Sequence, residues 1–362
     1  MTTSPISLGA TSRAPLVAHG TRLVTLDALR GVAAVSVMWF HSYVFSRLPE
    51  TLEAPGWLDI ALRNGGMGVD VFFVLSGVVM TLSVAGDHIS LGYLGRFAVR
   101  RSLRLDPPYW FTLILAASLL ATQHHWPGLD SVAAHIVYLQ NILGYRNIVS
   151  QFWSLCYEVQ FYLILVLSLW LTQRFGRAWG RAWAMLLFLS SLAVVVGQIG
   201  TQGWFLDHWY AFAAGSATAL WLLGRLPLAT LVVTIGLTLA AGWRDLMSGP
   251  VVAAVTALAI AAAGGAGKLG VWSGGPVLQW LGRISYSLYL IHFIGSAVAK
   301  TLAVRASTRF EAVAVFCAAT GASLAAAELL YRLVERPAQR LSRRVGTSPN
   351  GHWWTNPRPP VA

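Results

Sequence analysis

The sequence predicts an all-α protein, a polytopic bundle of about ten transmembrane helices. Of its 362 residues, 56% are hydrophobic and 11% are charged, whereas a soluble domain carries roughly 25% charged residues. Apolar stretches long enough to cross a bilayer recur along the chain, since a helix of about 20 residues spans about 30 Å of hydrocarbon. Its 16 tryptophans and 11 tyrosines suit anchoring at two membrane interfaces.

The predicted transmembrane segments follow one another with short connections. They lie at 25–46, 66–84, 107–122, 152–173, 183–200, 205–224, 226–243, 249–266, 283–303 and 310–333. Pro107 and Pro108 mark the predicted entry to the third segment, because proline is favoured in the first turn of a helix.

One membrane domain with a tail at each end is the predicted organisation. Residues 1–22 lack a long apolar region and a small-residue cleavage site, so we expect a disordered cytoplasmic tail rather than a signal peptide. The transmembrane domain is expected at 23–337, and a cytoplasmic C-terminal tail is expected at 338–362.

The basic residues are distributed as orientation signals. The formal net charge is +12, but the arginines lie mostly between apolar segments rather than in one basic domain, which argues against nucleic-acid binding. With the N-terminus inside, most lysines and arginines fall on the cytoplasmic side, as the positive-inside rule requires. An even number of spans then places both termini in the cytoplasm.

Motifs of several other site classes are missing from the sequence. Cys156 and Cys317 both lie in apolar segments, so we expect neither a disulfide framework nor a metal site. No phosphate-binding loop or dinucleotide-binding glycine pattern is visible, and VLSGVV does not fit the nucleophile elbow of serine hydrolases.

The first predicted helix carries an arginine and a histidine on one face. Arg30 and His41 are eleven residues apart, which returns the helix to within about 20° of the starting face after a rise of about 16 Å. This arrangement suits acyl transfer, with a cation that holds the donor and an imidazole that acts as base near mid-membrane. A hydrogen bond from His41 to a helix carbonyl is the structural alternative, although the cost of polar groups in hydrocarbon favours function.

An arginine cluster precedes the third segment in RFAVRRSLRLDPPYW. Arg100 and Arg104 are i,i+4 neighbours and Arg101 and Arg104 are i,i+3 neighbours, so the cluster can form one cationic face. Guanidinium groups bind phosphate oxygens in pairs, and coenzyme A carries a diphosphate and a 3′-phosphate. We therefore expect cytosolic acyl-CoA here, with an orientation signal or a lipid-headgroup contact as the alternative.

Two acidic residues lie within the predicted membrane segments. Asp70 stands near a membrane boundary, where it either orients an imidazole, pairs with an arginine, or makes a structural hydrogen bond. Glu158 shares a helix face with Ser154 and Tyr162 at i,i+4 spacing. An arginine, a histidine or a substrate hydroxyl suits this carboxylate, and a structural ion pair is the alternative.

Hydroxyl groups are concentrated in the ninth segment, LGRISYSLYLIHF. Tyr286, Tyr289 and His292 either line a polar cavity or form hydrogen bonds between helices.

Together these segments resemble acyltransferase family 3, multi-spanning membrane proteins that often O-acetylate bacterial polysaccharides. The resemblance rests on six segments in family order across 26–337: LDALRGVAAVSVMWFH, GVDVFFVLSGVVM, RRSLRLDPPYW, FWSLCYEVQFY, LGRISYSLYLIH and YRLVERP. It implies that Arg30 and His41 match the family's Arg-x10-His pair and that Arg101 and Arg104 match its Arg-x-x-Arg pair. Glu158 falls at the family's acidic position.

The resemblance implies an O-acyltransferase that moves an acetyl group from acetyl-CoA to a carbohydrate or glycolipid hydroxyl. It also implies a bacterial inner-membrane location, contact with membrane lipid and a link to polysaccharide assembly machinery. The chain is similar to stand-alone members without a fused esterase-like domain, which suggests direct transfer to the acceptor. Catalysis would fall to His41, either as general base or as a transient carrier of the acyl group, with Glu158 or Asp70 orienting it. Arg30, Arg100, Arg101 and Arg104 would bind the donor.

Two other functions are compatible with the same residues. In a proton-coupled transporter or flippase, buried histidine and carboxylates relay protons and the arginines handle an anionic substrate. The paired interrupted helices expected of such a transporter are not visible in the sequence. An inactive partner in an assembly complex is the third function, and the retained His41, Arg101 and Glu158 argue against it.

Overall fold

A computed structural model describes residues 22–46, 48–51, 56–84, 89–201, 203–245 and 248–345. Throughout these ranges the secondary structure is helical, without a strand. The α-helices are α1 (Val24–Phe45), α2 (Leu48–Thr51), α3 (Gly56–Arg63), α4 (Gly68–Val84), α5 (Leu91–Thr122), α6 (Leu129–Ile136), α7 (Trp153–Phe175), α8 (Arg177–Gly197), α9 (Trp209–Leu222), α10 (Leu228–Ala241), α11 (Gly249–Gly265), α12 (Gly275–Ile291), α13 (Phe293–Ala303), α14 (Arg309–Leu330) and α15 (Arg336–Ser342). Four short turns complete the list: 3-10 turns at Gly65–Met67, Ser150–Phe152 and Phe205–Asp207, and a π turn at Tyr331–Glu335.

The helices confirm the predicted polytopic bundle. Among the described residues, five helical stretches are long and apolar enough to cross a membrane: Val24–Phe45, Gly65–Val84, Ser150–Phe175, Arg177–Gly197 and Arg309–Ser342. Three shorter apolar helices, α10, α11 and α13, accompany them. The protein is therefore a multi-pass membrane protein.

The third predicted segment begins much earlier than its prolines indicated. Pro107 and Pro108 lie inside α5, which starts at Leu91 and runs unbroken to Thr122. The sequence pattern assigned the arginine-rich first half to a loop, because charged side chains are costly in hydrocarbon. In the fold α5 packs against α15 and the π turn, and Arg101 contacts Glu158 while Arg104 is exposed at a cavity.

The last two predicted segments also differ from the observed helices. The ninth is divided at His292, where α12 ends and α13 begins. The tenth continues past Leu330 through the π turn into α15, which crosses the domain limit predicted at residue 337. Residues 1–21 and 346–362, most of the two predicted tails, lie outside the described residues.

Glycines set the closest helix contacts. Where α1 packs on α12, a Cβ added at Gly282 would overlap the carbonyl oxygen of Asp27. Where α4 packs on α9, a Cβ at Gly215 would overlap the carbonyl oxygen of Val74. Small residues let helix backbones approach closely in membranes. These two contacts therefore fix α1 and α4, the helices that carry the candidate residues Arg30, His41 and Asp70.

Replacing Gly215 by alanine is expected to destabilise the bundle, because the added methyl group meets backbone that cannot rotate away. Overpacking of this kind costs about 1–3 kcal/mol. We expect a lower thermal unfolding temperature for Gly215→Ala in detergent. Gly236→Ala on α10 is the matched control, because a Cβ there meets nothing within 4 Å. Equal unfolding temperatures for both variants would contradict the proposed close contact.

Candidate active site

A cavity of about 470 Å³ opens among the helices and contains most of the predicted site residues. Charged side chains dominate its polar lining: Arg22, Asp27, Arg30, Arg101, Arg104, Glu158, Arg283, Glu335 and Arg343. Tyr286, Tyr289 and Ser154 also line it. Three of the four predicted donor-binding arginines therefore share one cavity with the predicted carboxylate of α7.

Arg101 is held by two residues on one face of α7. Its Nη2 lies 3.4 Å from Glu158 Oε1 and donates a hydrogen bond to the Tyr162 hydroxyl group. The guanidinium carbon is 4.0 Å from the centroid of the Tyr162 ring, a cation–π distance. Ser76 on α4 donates to the same Glu158 oxygen at 3.0 Å. The predicted shared face of Glu158 and Tyr162 is confirmed, with Arg101 as the partner.

Arg30 and Arg104 contribute charge that the protein does not pair. Within the described part of the chain neither side chain makes an ion pair or hydrogen bond, and both line the cavity. Arg104 is solvent-exposed, and it interacts electrostatically with Arg101, Arg30 and Glu335. In all, six guanidinium groups line the cavity with three carboxylates, Asp27, Glu158 and Glu335. A cavity with this surplus attracts anions.

Glu335 is a cavity residue whose place in the site the sequence did not reveal. The π turn aims its buried carboxylate at α12, where Oε2 accepts hydrogen bonds from Ser287 Oγ at 2.5 Å and Ser287 N at 3.2 Å. Gln339 donates to Oε1 at 2.8 Å. π turns occur frequently at functional sites. In the sequence, Glu335 is visible only as a carboxylate shortly after an apolar helix. The direction of its side chain depends on the π turn, which the sequence pattern does not show.

His41 lies beyond the cavity on the same helix as Arg30. Its Nδ1 is 2.9 Å from the carbonyl oxygen of Val37. Because a carbonyl oxygen only accepts hydrogen bonds, Nδ1 carries the proton and Nε2 of the neutral ring has the lone pair. Nε2 is thus the nitrogen able to act as a base.

Aromatic contacts connect the cavity with His41. Tyr289 lines the cavity, and its ring centroid lies 6.1 Å from that of His292. The His292 centroid is in turn 4.9 Å from that of His41. Tyr289 also shares a 2.6 Å hydrogen bond with the Ser154 hydroxyl group. Tyr289 therefore connects the cavity lining with the two imidazoles, which do not line the cavity themselves.

Neither predicted orienting carboxylate contacts His41. Glu158 is engaged by Arg101 and Ser76, as described above. Asp70 Oδ1 accepts a hydrogen bond from the Tyr210 hydroxyl group at 2.8 Å and lies 4.0 Å from Nδ1 of His208. The Val37 carbonyl group, one helical turn before His41, occupies the orienting position instead. This interaction is the structural alternative considered for His41, and it fixes the ring without removing its basic nitrogen.

Arg100 is separate from the other predicted donor-binding residues. Its side chain is half-buried and does not line the cavity. It interacts electrostatically with Arg343 and Tyr93. The i,i+3 pair Arg101 and Arg104 therefore faces inward, whereas the i,i+4 relation does not bring Arg100 into the cavity.

Known proteins with similar sequences come from several bacteria. BcsY of Komagataeibacter xylinus is 30% identical over 316 residues, which cover 76% of this chain and 74% of that protein. The exopolysaccharide production protein ExoZ of Rhizobium meliloti is 29% identical over 310 residues, or 77% and 91% of the two chains. The peptidoglycan O-acetyltransferase OatA of Listeria monocytogenes is 28% identical over 159 residues, which cover 39% of this chain and 23% of OatA.

No solved structure matches the chain. The profile of a family described as an acyltransferase domain matches residues 23–332, almost all of the helical body. This match confirms the family that the sequence motifs indicated. The chain belongs to acyltransferase family 3 and is a membrane acyltransferase.

Proposed function

We propose that the protein transfers an acetyl group from cytosolic acetyl-CoA to a hydroxyl group of a cell-surface or lipid-linked carbohydrate. The single observation that carries this proposal is the arginine-lined cavity beneath His41. The cavity lining contains six arginines, Arg30, Arg101 and Arg104 among them, and offers a polyanionic donor more positive charge than its three carboxylates neutralise. The names of ExoZ and OatA support a carbohydrate acceptor.

Donor binding follows from the unpaired arginines. Arg30 and Arg104 present free guanidinium donors to the phosphates of coenzyme A, and such charge-assisted hydrogen bonds are strong. Arg101 forms an ion pair with Glu158 and still lines the cavity, so it adds to the cationic surface. Arg100 adds positive potential nearby and makes no direct contact with the donor.

Transfer takes place where the donor reaches the imidazole. Along α1, His41 stands about 16 Å beyond Arg30, a distance that an extended pantetheine arm can span. His41 Nε2 removes the proton of the acceptor hydroxyl group, whose oxygen attacks the thioester carbonyl carbon. The new C–O bond forms as the C–S bond breaks, and the proton finally joins the sulfur of free CoA.

Glu158 and Asp70 have supporting roles in this mechanism. Glu158 positions Arg101 through the ion pair and through Ser76. Asp70 ties α4 to α9 through Tyr210, so its contribution is structural. The Val37 carbonyl group replaces them as the group that sets the tautomer of His41.

The proposed location is the bacterial inner membrane, with both termini in the cytoplasm. This orientation places the mouth of the cavity, with Arg22, Arg283 and Arg343, on the side that contains acetyl-CoA. His41 then lies toward the outer end of α1, near the compartment in which surface glycans are assembled. A complex with polysaccharide assembly machinery would supply the acceptor there.

Arg104→Gln is expected to raise the KM for acetyl-CoA. A charge-assisted hydrogen bond contributes about 1.5–3 kcal/mol, which corresponds to roughly a 10- to 10²-fold increase. The measurement is acetyl transfer to endogenous glycan in membrane vesicles, as a function of acetyl-CoA concentration. Arg225→Gln is the matched control, because Arg225 is exposed and does not line the cavity. An unchanged KM for Arg104→Gln would refute its assignment to the donor.

His41→Ala is expected to abolish acetyl transfer while the protein still inserts and folds. Loss of a general base typically lowers the rate about 10²- to 10⁴-fold. Purified protein would be assayed for acceptor-dependent release of free CoA, and surface glycans for loss of the acetyl mass increment. A transporter would release no CoA even as wild type. Near-normal activity of His41→Ala would show that the mechanism is wrong.

A further inference from the structure

His292 carries a buried imidazole that has no role in the mechanism proposed above. It lies at the junction of α12 and α13 and is only 1% exposed. Its Nδ1 is 2.9 Å from the carbonyl oxygen of Tyr289 and 3.2 Å from that of Leu288. As in His41, the proton therefore sits on Nδ1 and the lone pair on Nε2.

The Nε2 atom of His292 has no hydrogen-bond partner among the described residues, although it is fully buried. Buried polar atoms are nearly always satisfied, and an exception requires an explanation. His135 offers the comparison within this chain. Its Nδ1 contacts the Ser131 carbonyl oxygen at 2.7 Å, and its Nε2 accepts a hydrogen bond from Ile148 N at 3.1 Å. A purely structural buried histidine is thus satisfied at both nitrogens, and His292 is not.

His292 makes ring contacts with both Tyr289 and His41. On one side its ring contacts Tyr289, which lines the cavity. On the other side its ring centroid is 4.9 Å from that of His41. The titratable groups that face this pair are Tyr289 on α12 and Lys300 on α13. Among the described residues, no carboxylate forms a hydrogen bond with either ring.

A general base needs a way to dispose of the proton it takes. In hydrolytic triads a carboxylate stabilises the resulting imidazolium ion. His41 has only the neutral Val37 carbonyl group at Nδ1 and the positive charge of Lys300 nearby. The adjacent group that can accept the proton is the neutral imidazole of His292.

We propose that His292 is the proton-relay partner of His41, an inference that rests on the proposed acyl transfer. The acceptor proton passes from oxygen to His41 Nε2 and then to His292 Nε2. The C–O bond forms as the C–S bond breaks, and in this relay the leaving thiolate passes Tyr289 to reach His292 Nε2. His292 delivers the proton to sulfur, so both imidazoles return to neutrality and free CoA departs as the thiol.

His292→Gln tests the relay, because glutamine fills similar space but cannot carry the proton. We expect kcat to fall on the order of 10²-fold, with an unchanged KM for acetyl-CoA and a normal unfolding profile. His135→Gln is the matched control, and it should keep kcat even if it lowers the unfolding temperature. A wild-type kcat for folded His292→Gln would overturn the relay while leaving the role of His41 intact. Absence of CoA release by the wild type would instead overturn the proposed function.

A second variant keeps the test decisive if glutamine disturbs folding. His292→Gly leaves space for an added imidazole molecule, which can accept and donate the proton. Imidazole should restore acetyl transfer in His292→Gly, whereas His135→Gly should transfer acetyl groups at the same rate with and without it. Restoration of thermal stability without restoration of rate would show a structural role only, and the relay would then be wrong.

Discussion

The cost of taking guanidinium groups out of water is the constraint on which the rest of the site depends. A charged side chain in hydrocarbon is expensive, so it faces protein or water. Arg101 meets this requirement through Glu158 and Tyr162. Arg30 and Arg104 meet it by bordering a cavity of about 470 Å³. The carboxylates and the cavity therefore both lower the cost of burying the arginines. The surplus positive charge that remains suits the anionic donor of the proposed reaction.

Backbone contacts determine where these charges meet. α1 carries both Arg30 and His41. At Gly282 it packs closely against α12, the helix that is followed by His292. The π turn after α14 then directs Glu335 back toward α12. A regular α-helix through the same residues would change the direction of every side chain beyond it. Charge placement at this site thus depends on the backbone as much as on residue type.

The fold and the shared helix faces of the candidate site were largely predictable from the sequence, because apolar length and helical spacing are local properties. The shared face of Glu158 and Tyr162 is such a case. The sequence could not decide between a helix carbonyl group and a carboxylate as the partner of His41, because an imidazole can form a hydrogen bond with either. The polar half of α5 was missed for a related reason: spacing shows which residues share a face, but not whether that face meets lipid or a cavity.

In the proposed reaction, the hydrogen bond between Tyr289 and Ser154 gives donor binding a further role. Tyr289 and Ser154 share a 2.6 Å hydrogen bond between the arginines and the imidazoles. In the proposed reaction the thioester must pass this pair to reach His41, and breaking their contact costs free energy. Binding energy from the distant phosphates can offset that cost, since remote contacts are used to position the reacting group. Acetyl-CoA would then open the path to the imidazoles more effectively than water or a short acetyl ester, which protects the thioester from hydrolysis.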